Sequence, residues 1–209
     1  MPAVDTHRPG RSTKGERTRR AILDGARAIV GEVGTGGLSQ DAAAKRAGIS
    51  QSALRHYFPS RDALLAALFA DVLEGYRAQV EQVVLVPGAT HGVRLTRMIH
   101  THLDAIVSFS DSTMLEVFAF WSRNEEAGAA RRTFHAWLIG HYADSIQALR
   151  PELSPYQCRE VALQVLTLTL GAWLTLGRSR PHLLDRSAAR VKEALLRAVD
   201  ALVGVPLPW

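Results

Sequence analysis

Apolar residues recur at helical spacing along almost the whole chain, and nowhere does the two-residue alternation of a half-buried strand compete with them. Ile22, Ala26, Ile29, Val30 and Val33 mark a first helix that begins near Lys14 and is stopped by Gly34, Gly36 and Gly37. Ser39 offers a capping hydroxyl, and Asp41 a favourable first-turn charge, to a short alanine-rich helix that Gly48 ends. Ser50 caps the stretch QSALRHYF, which stops at Pro59. Ser60 then caps a long helix carrying Leu64, Leu65, Leu68, Phe69, Val72 and Leu73. Beyond Pro87 and Gly88 five more helices are expected, over 91–108, 112–124, 127–150, 155–177 and 185–203, with Pro151, Pro155 and Pro181 at the joints. The pattern predicts an all-α protein of about nine helices. It divides into a flexible basic arm over 1–13, a small head over 14–58 and a larger helical body over 59–209.

Composition narrows the class. With 47% hydrophobic and 22% charged residues in 209, the chain has the makeup of an ordinary globular protein, which excludes disorder and collagen. The single cysteine, Cys158, excludes a disulfide framework and a Cys-based zinc site, and fits a reducing, cytoplasmic location. The first thirty residues hold no long apolar core, so no signal peptide is expected. The most apolar stretch, 161–177, is interrupted by Gln164, three threonines and Gly171, and falls short of the about twenty residues a membrane span needs.

The net charge of +5 is lopsided: residues 1–70 hold 11 basic and 6 acidic side chains, whereas the remainder balances. A positive field concentrated on one region attracts polyanions. That region also holds the segment 40–59, QDAAAKRAGISQSALRHYFP, with the spacing of a helix-turn-helix. Small Ala44 allows two helices to cross closely, Gly48 tolerates a left-handed turn, and Leu54 plugs the angle between them. A major groove about 12 Å wide admits the second helix. Gln51, Ser52 and Arg55 on that helix are the candidate base readers, since Gln and Arg make paired hydrogen bonds to adenine and guanine edges.

The run from Gly48 to Leu65, GISQSALRHYFPSRDALL, preceded by a helix ending in a glycine-rich turn, resembles the DNA-binding head of the TetR family of bacterial regulators. The likeness covers residues 14–69. It departs from the commonest form at Arg55, where that family usually has Tyr, and at Tyr57, where it often has His. The His56-Tyr57-Phe58 variant, with Phe118-Ala-Phe-Trp121 and Leu170-Gly-Ala-Trp-Leu174, resembles the branch of choline-responsive BetI regulators. The resemblance implies a double-stranded DNA operator as partner, with Tyr57 at a phosphate-contacting position. Ser39 and Ser50, at helix N-termini, and Arg61, just inside the next helix, are placed to meet phosphates. Arg17, Lys45 and Arg46 supply further backbone charge, as do Arg19 and Arg20, while Arg8, Arg11 and Lys14 form an arm for the minor groove.

Two heads on half-sites one helical turn apart require a homodimer. The segment 157–177 is apolar on one face through Leu163, Leu166, Leu170 and Trp173, and on another through Val161, Val165, Leu168 and Ala172. The last helix offers Val191, Leu195, Ala198, Val199 and Leu202. The resemblance places a four-helix dimer seam on these two segments. It also implies a cavity in the body for a small-molecule effector, with Phe118, Trp121, Trp137, His141 and Trp173 as candidate lining. An aromatic cage with Glu116 would suit a quaternary ammonium.

No cofactor, metal or catalytic site is expected. His100 and His102 are about 200° apart on a helix, and His135 and His141 about 240°, so neither pair presents two ligands on one face. A glycine-rich phosphate loop and a GxSxG nucleophile elbow are both absent from the sequence. The leading expectation is a ligand-released transcriptional repressor. The alternative is a helical small-molecule binding protein or enzyme whose basic head meets a protein or membrane surface.

Overall fold

The computed structural model describes residues 13–84, 86–108, 111–175 and 188–209, the side chains of 105–108, 111–115, 173–175 and 188 excepted. The described residues form nine helices: α1 (Lys14–Val33), α2 (Gln40–Ala47), α3 (Gln51–Tyr57), α4 (Arg61–Val84), α5 (His91–Ser108), α6 (Asp111–Arg123), α7 (Glu125–Leu149), α8 (Pro155–Thr175) and α9 (Ala188–Val203). A single 3-10 turn, Thr35–Gly37, joins α1 to α2.

Local chemistry sets the helix ends. The Thr13 hydroxyl accepts from the Glu16 amide at 3.2 Å, and the Glu16 carboxylate accepts from the Thr13 amide at 2.6 Å, a reciprocal box that starts α1. Ser39, Ser50 and Ser60 each accept from the amide three residues on, at 3.0, 3.1 and 3.0 Å. Gly48 ends α2 with φ +68°, a left-handed conformation that costs a side-chain-bearing residue about 1 kcal/mol. The amides of Gly48 and Ile49 return to the Lys45 and Ala44 carbonyls at 3.2 and 3.0 Å.

The chain separates into two compact units, Met1–Leu68 and Phe69–Trp209. The head therefore ends ten residues beyond the boundary that the proline-marked joint at Pro59 indicates. Leu64, Leu65 and Leu68 of α4 are fully buried in the smaller unit, whose core is otherwise Ile22, Leu23, Ala26, Ile29, Val30, Leu38, Ala44, Leu54 and Phe58. Val33, at a core position by spacing, is exposed instead. A Cβ on Gly37 would lie 2.3 Å from its side chain, so the turn closes over Val33 only because residue 37 has none.

The larger unit is built on Leu95, Met98, Ile99, Leu103, Leu138, Tyr142, Ile146, Val165 and Val199. α8 turns Cys158, Ala162, Val165, Leu166, Thr169 and Ala172 inward, and leaves Leu163 and Tyr156 exposed. The two faces read from sequence are thus corrected: Leu166, one turn on from Ala162, borders the arc spanned by 158, 162, 165, 169 and 172 and is buried with them, whereas Leu163, about 100° round from Ala162, falls outside it. Val191, Leu195 and Leu202 of α9 are partly buried against this core. The last residues fold back, Asp200 accepting from the Leu207 amide and the Trp209 indole, both at 2.9 Å. No helix among the described residues is long and apolar enough to cross a membrane.

Candidate nucleic-acid interface

α3 is a seven-residue helix held from one side only. Leu54 and Phe58 face inward and are buried, and the Gln40 side-chain amide donates to the Phe58 carbonyl at 2.8 Å, tying the start of α2 to the end of α3. Gln51, Ser52, Arg55 and His56 occupy the opposite face and are exposed. Such a helix, anchored on its inner face with hydrogen-bonding side chains outward, can enter a groove without disturbing its own packing.

The flanking groups sort into two kinds. Arg17 and Lys45 are exposed. Ser39 and Ser50 use their oxygens as acceptors in the caps, and a hydroxyl that accepts in this way still has its own proton to donate to a phosphate. Tyr57 packs edge-on to His56 at 5.7 Å, and its hydroxyl lies 3.8 Å from where a Cβ on Gly15 would sit, over the first turn of α1.

Two other arginines are committed within the head. Arg61 donates from Nε to the Leu38 carbonyl at 2.8 Å and from Nη2 to the Thr35 carbonyl at 2.6 Å, closing the turn between α1 and α2. Arg61 thus acts as a strut in the head, and its Nη1 edge, 3.8 Å from Asp62, keeps donors that these two bonds do not use, so a phosphate contact remains open to it. Arg46 forms a two-pronged ion pair with Glu32, at 3.2 and 2.6 Å, which holds the Glu32 carboxyl below its ordinary range. Its aliphatic stem lies on α1, where a Cβ on Gly25 would meet Cγ at 3.1 Å. Arg19 stacks its guanidinium over the Phe58 ring at 5.5 Å, and Arg20 pairs with Asp24 at 3.2 Å. Sequence gave no signal for the Gln40, Arg46 and Arg61 contacts, whose partners lie fourteen or more residues away. Arg8 and Arg11 lie outside the described residues.

In the larger unit the expected lining residues fall into two pairs. Phe118 and Trp121 meet edge-on at 5.4 Å, with Phe69 6.4 Å from Trp121. Trp137 and His141 meet edge-on at 4.6 Å, with Phe134 5.7 Å from Trp137. Trp173 belongs to α8, but its side chain lies outside the described residues. Arg131 sits 5.9 Å over Trp121, and Arg77 5.2 Å over Trp137.

A buried polar group in the same unit was not among the expected lining residues. His102 is buried, 3.2 Å from the Thr169 hydroxyl, and its ring lies 5.7 Å from that of Tyr76. Burial, with the charge of His135, pushes the His102 pKa down to about 4; burial, with the charge of Arg131, does the same to His135. Burial also raises the phenols of Tyr76 and Tyr142 far above their ordinary value, so both are neutral hydroxyls. The only available signal was a polar residue on the inward face of a helix, and a single histidine does not distinguish that from a solvated one. Among the described residues no group of three or more potential ligands could hold a metal ion.

Residues 22–68 match the family described as bacterial regulatory proteins, tetR family. The HTH-type transcriptional regulator BetI of Burkholderia thailandensis is 27% identical over 159 residues, which span 76% of this chain and 81% of that protein. BetI of Escherichia coli O157:H7 is 25% identical over 157 residues, 75% and 80% of the two chains. Among solved structures, a putative transcriptional regulator from Pseudomonas aeruginosa PAO1 superposes with a TM-score of 0.72 at 16% identity, over 90% of this chain and 93% of that one. A putative TetR-family regulator from Rhodococcus gives 0.67 at 22% identity, over 90% and 99%.

Proposed function

We propose that this chain is a DNA-binding transcriptional regulator of the TetR type rather than an enzyme, a homodimeric repressor which a small molecule releases from its operator. The observation that carries the reading is the outward face of α3, where Gln51, Ser52 and Arg55 stand exposed on a helix pinned by Leu54, Phe58 and Gln40. Ser39, Ser50, Lys45, Arg17 and Tyr57 flank that face as phosphate contacts, and the arm over 1–13 adds charge for the minor groove.

The homodimer is supported by the apolar side chains that α8 leaves uncovered. Leu163 is 52% exposed and Tyr156 71%, on a helix whose other side is fully packed. Closing two copies across this face sets the two heads at a fixed spacing, and repression follows while that spacing matches two successive turns of the duplex. A small molecule held by the larger unit releases the operator to the extent that it binds the mismatched spacing better, tenfold release needing about 1.4 kcal/mol of preference. Such a regulator works in the cytoplasm, where the bacterial chromosome is.

Gel retardation of a 30–40 base-pair fragment from upstream of its own gene tests the function. Saturable retardation that a scrambled fragment does not show, and that weakens steeply between 50 and 200 mM salt, is expected. Equal retardation of both fragments would overturn it.

A further inference from the structure

We propose that the effector is an organic anion, a carboxylate on an aromatic or similarly apolar body, gripped in the larger unit by Trp121, Arg131, His135, His102, Tyr76 and Tyr142. The proposal rests on the effector-released reading above and names the chemistry of that effector.

The six residues form a continuous series across α4, α5, α6 and α7. Arg131 lies over Trp121 at 5.9 Å and bears electrostatically on His135. His135 lies 6.0 Å from Phe134 and bears on His102, and His102 lies 5.7 Å from Tyr76, on which Tyr142 bears electrostatically. Phe134, 5.4 Å from Tyr76, and Trp137 supply apolar wall. Four buried polar atoms in this series have no hydrogen-bond partner: Trp121 Nε1, Arg131 Nε, Tyr76 Oη and Tyr142 Oη. A buried polar group without a partner is costly, and each calls for an explanation. The first two can only donate, and the phenols can donate, so the molecule that satisfies them must bring acceptors. A carboxylate brings two oxygens with about four acceptor sites.

The charge has the same sign. The permanent charge in the series is basic: Arg131 lies over Trp121 and bears on His135, which burial keeps neutral. The indole faces that a quaternary ammonium would use already carry guanidinium groups, Arg131 on Trp121 and Arg77 on Trp137. The aromatic cage for a cation expected from sequence is therefore opposed by the protein's own arginines. His102 adds a proton-linked grip. The Thr169 hydroxyl lies 3.1 and 3.0 Å from the Val165 and Leu166 carbonyls and spends its one proton there, so it accepts from His102 Nδ1. His102 Nε2 is then the basic nitrogen. With Tyr76 of α4 and Thr169 of α8 against the ring and His135 of α7 bearing on it electrostatically, it takes up a proton when a carboxylate arrives.

Calorimetry and tryptophan fluorescence on the full chain test this with benzoate and 1-naphthoate, their neutral amides, and the cations choline and phenyltrimethylammonium. At least one carboxylate is expected to bind saturably, ten or more times tighter than its amide, and to tighten several-fold per unit as pH falls from 8 to 6. The amides are expected to show no pH dependence, and the cations to bind more weakly than the amides. Arg131→Gln is expected to lower carboxylate affinity at least tenfold and leave amide affinity unchanged, with Arg131→Lys recovering most of the loss; thermal melts establish that both variants fold. Operator release by a cation and not by a carboxylate would overturn the proposal and leave the effector-released repressor standing. Equal losses for carboxylate and amide in Arg131→Gln would also overturn it. Failure of every probe to bind or to release DNA would overturn it and count against effector release as well.

Discussion

The two units satisfy their polar groups in opposite ways. Among the described residues every buried polar or charged residue, Thr96, His102, Ser145 and Thr169, belongs to the larger unit, as does every buried side-chain atom without a partner. The head has an apolar core, and its hydrogen-bonding side chains with work still to do, Gln51, Ser52 and Arg55, stand in solvent. A surface of that kind addresses a large partner that approaches from outside, and its affinity answers to salt. An interior of the other kind addresses a molecule small enough to enter, and its affinity answers to pH and shape. The proposed function assigns sequence recognition to the first kind of surface and signal reception to the second, in separate parts of one chain.

The strongest way to break the comparison is to empty the head's core. Leu54→Ala removes the side chain that seats α3 and is expected to cost about 2–5 kcal/mol of stability, read as a shifted urea midpoint with loss of DNA retardation. Acidification strikes the other unit. His102 is held neutral down to about pH 4, whereas the unfolded chain protonates it near 6.5, so stability is constant above about 6.5 and falls as pH drops toward 4. The loss approaches ~3 kcal/mol at 1.36 kcal/mol per pKa unit, with a smaller addition from the more exposed His135. Urea midpoints at pH 7 and pH 4.5 measure it, and His102→Gln is expected to flatten the difference.

Next in size, Arg61→Ala frees the Leu38 and Thr35 carbonyls and is expected to destabilise the head by about 1–3 kcal/mol. Once corrected for the unfolded fraction, its DNA affinity is expected to match the parent; a residual uniform loss would show Arg61 to be a phosphate contact as well as a strut. Gly48→Ala forces a side chain into φ +68° and is expected to cost about 1 kcal/mol, read by thermal melting.

Particular residues show what sequence conveyed and where it stopped. The serine caps at 39, 50 and 60, the left-handed Gly48 and the buried Ala44 and Leu54 are local chemistry, and each was legible from neighbours within a few positions. The exposure of Gln51, Ser52 and Arg55 followed from the same periodicity. The commitments of Arg46 and Arg61 were not legible, because a surface arginine reveals its partner only when tertiary packing brings a carboxylate or a carbonyl to it. The inward face of α8 was ambiguous for another reason: with apolar residues on every side, spacing alone does not rank the faces, and Thr169 turns in to meet His102 from a helix 67 positions away. Phe118 and Trp121, three apart on α6, and Trp137 and His141, four apart on α7, meet as helical spacing dictates. The arginines seated on them from α4 and α7 were not foreseen.

Base preference at the operator tests the central claim most directly, with Arg55→Ala set beside Lys45→Ala on the parent site and on single-base variants of it. If α3 reads the groove, Arg55→Ala loses about 1–3 kcal/mol of discrimination at one or two adjacent positions and keeps it elsewhere, while Lys45→Ala weakens every site by one factor and lowers the salt slope by about one. Uniform weakening by Arg55→Ala, with the parent's base preferences intact, would contradict the assignment of that helix to the major groove.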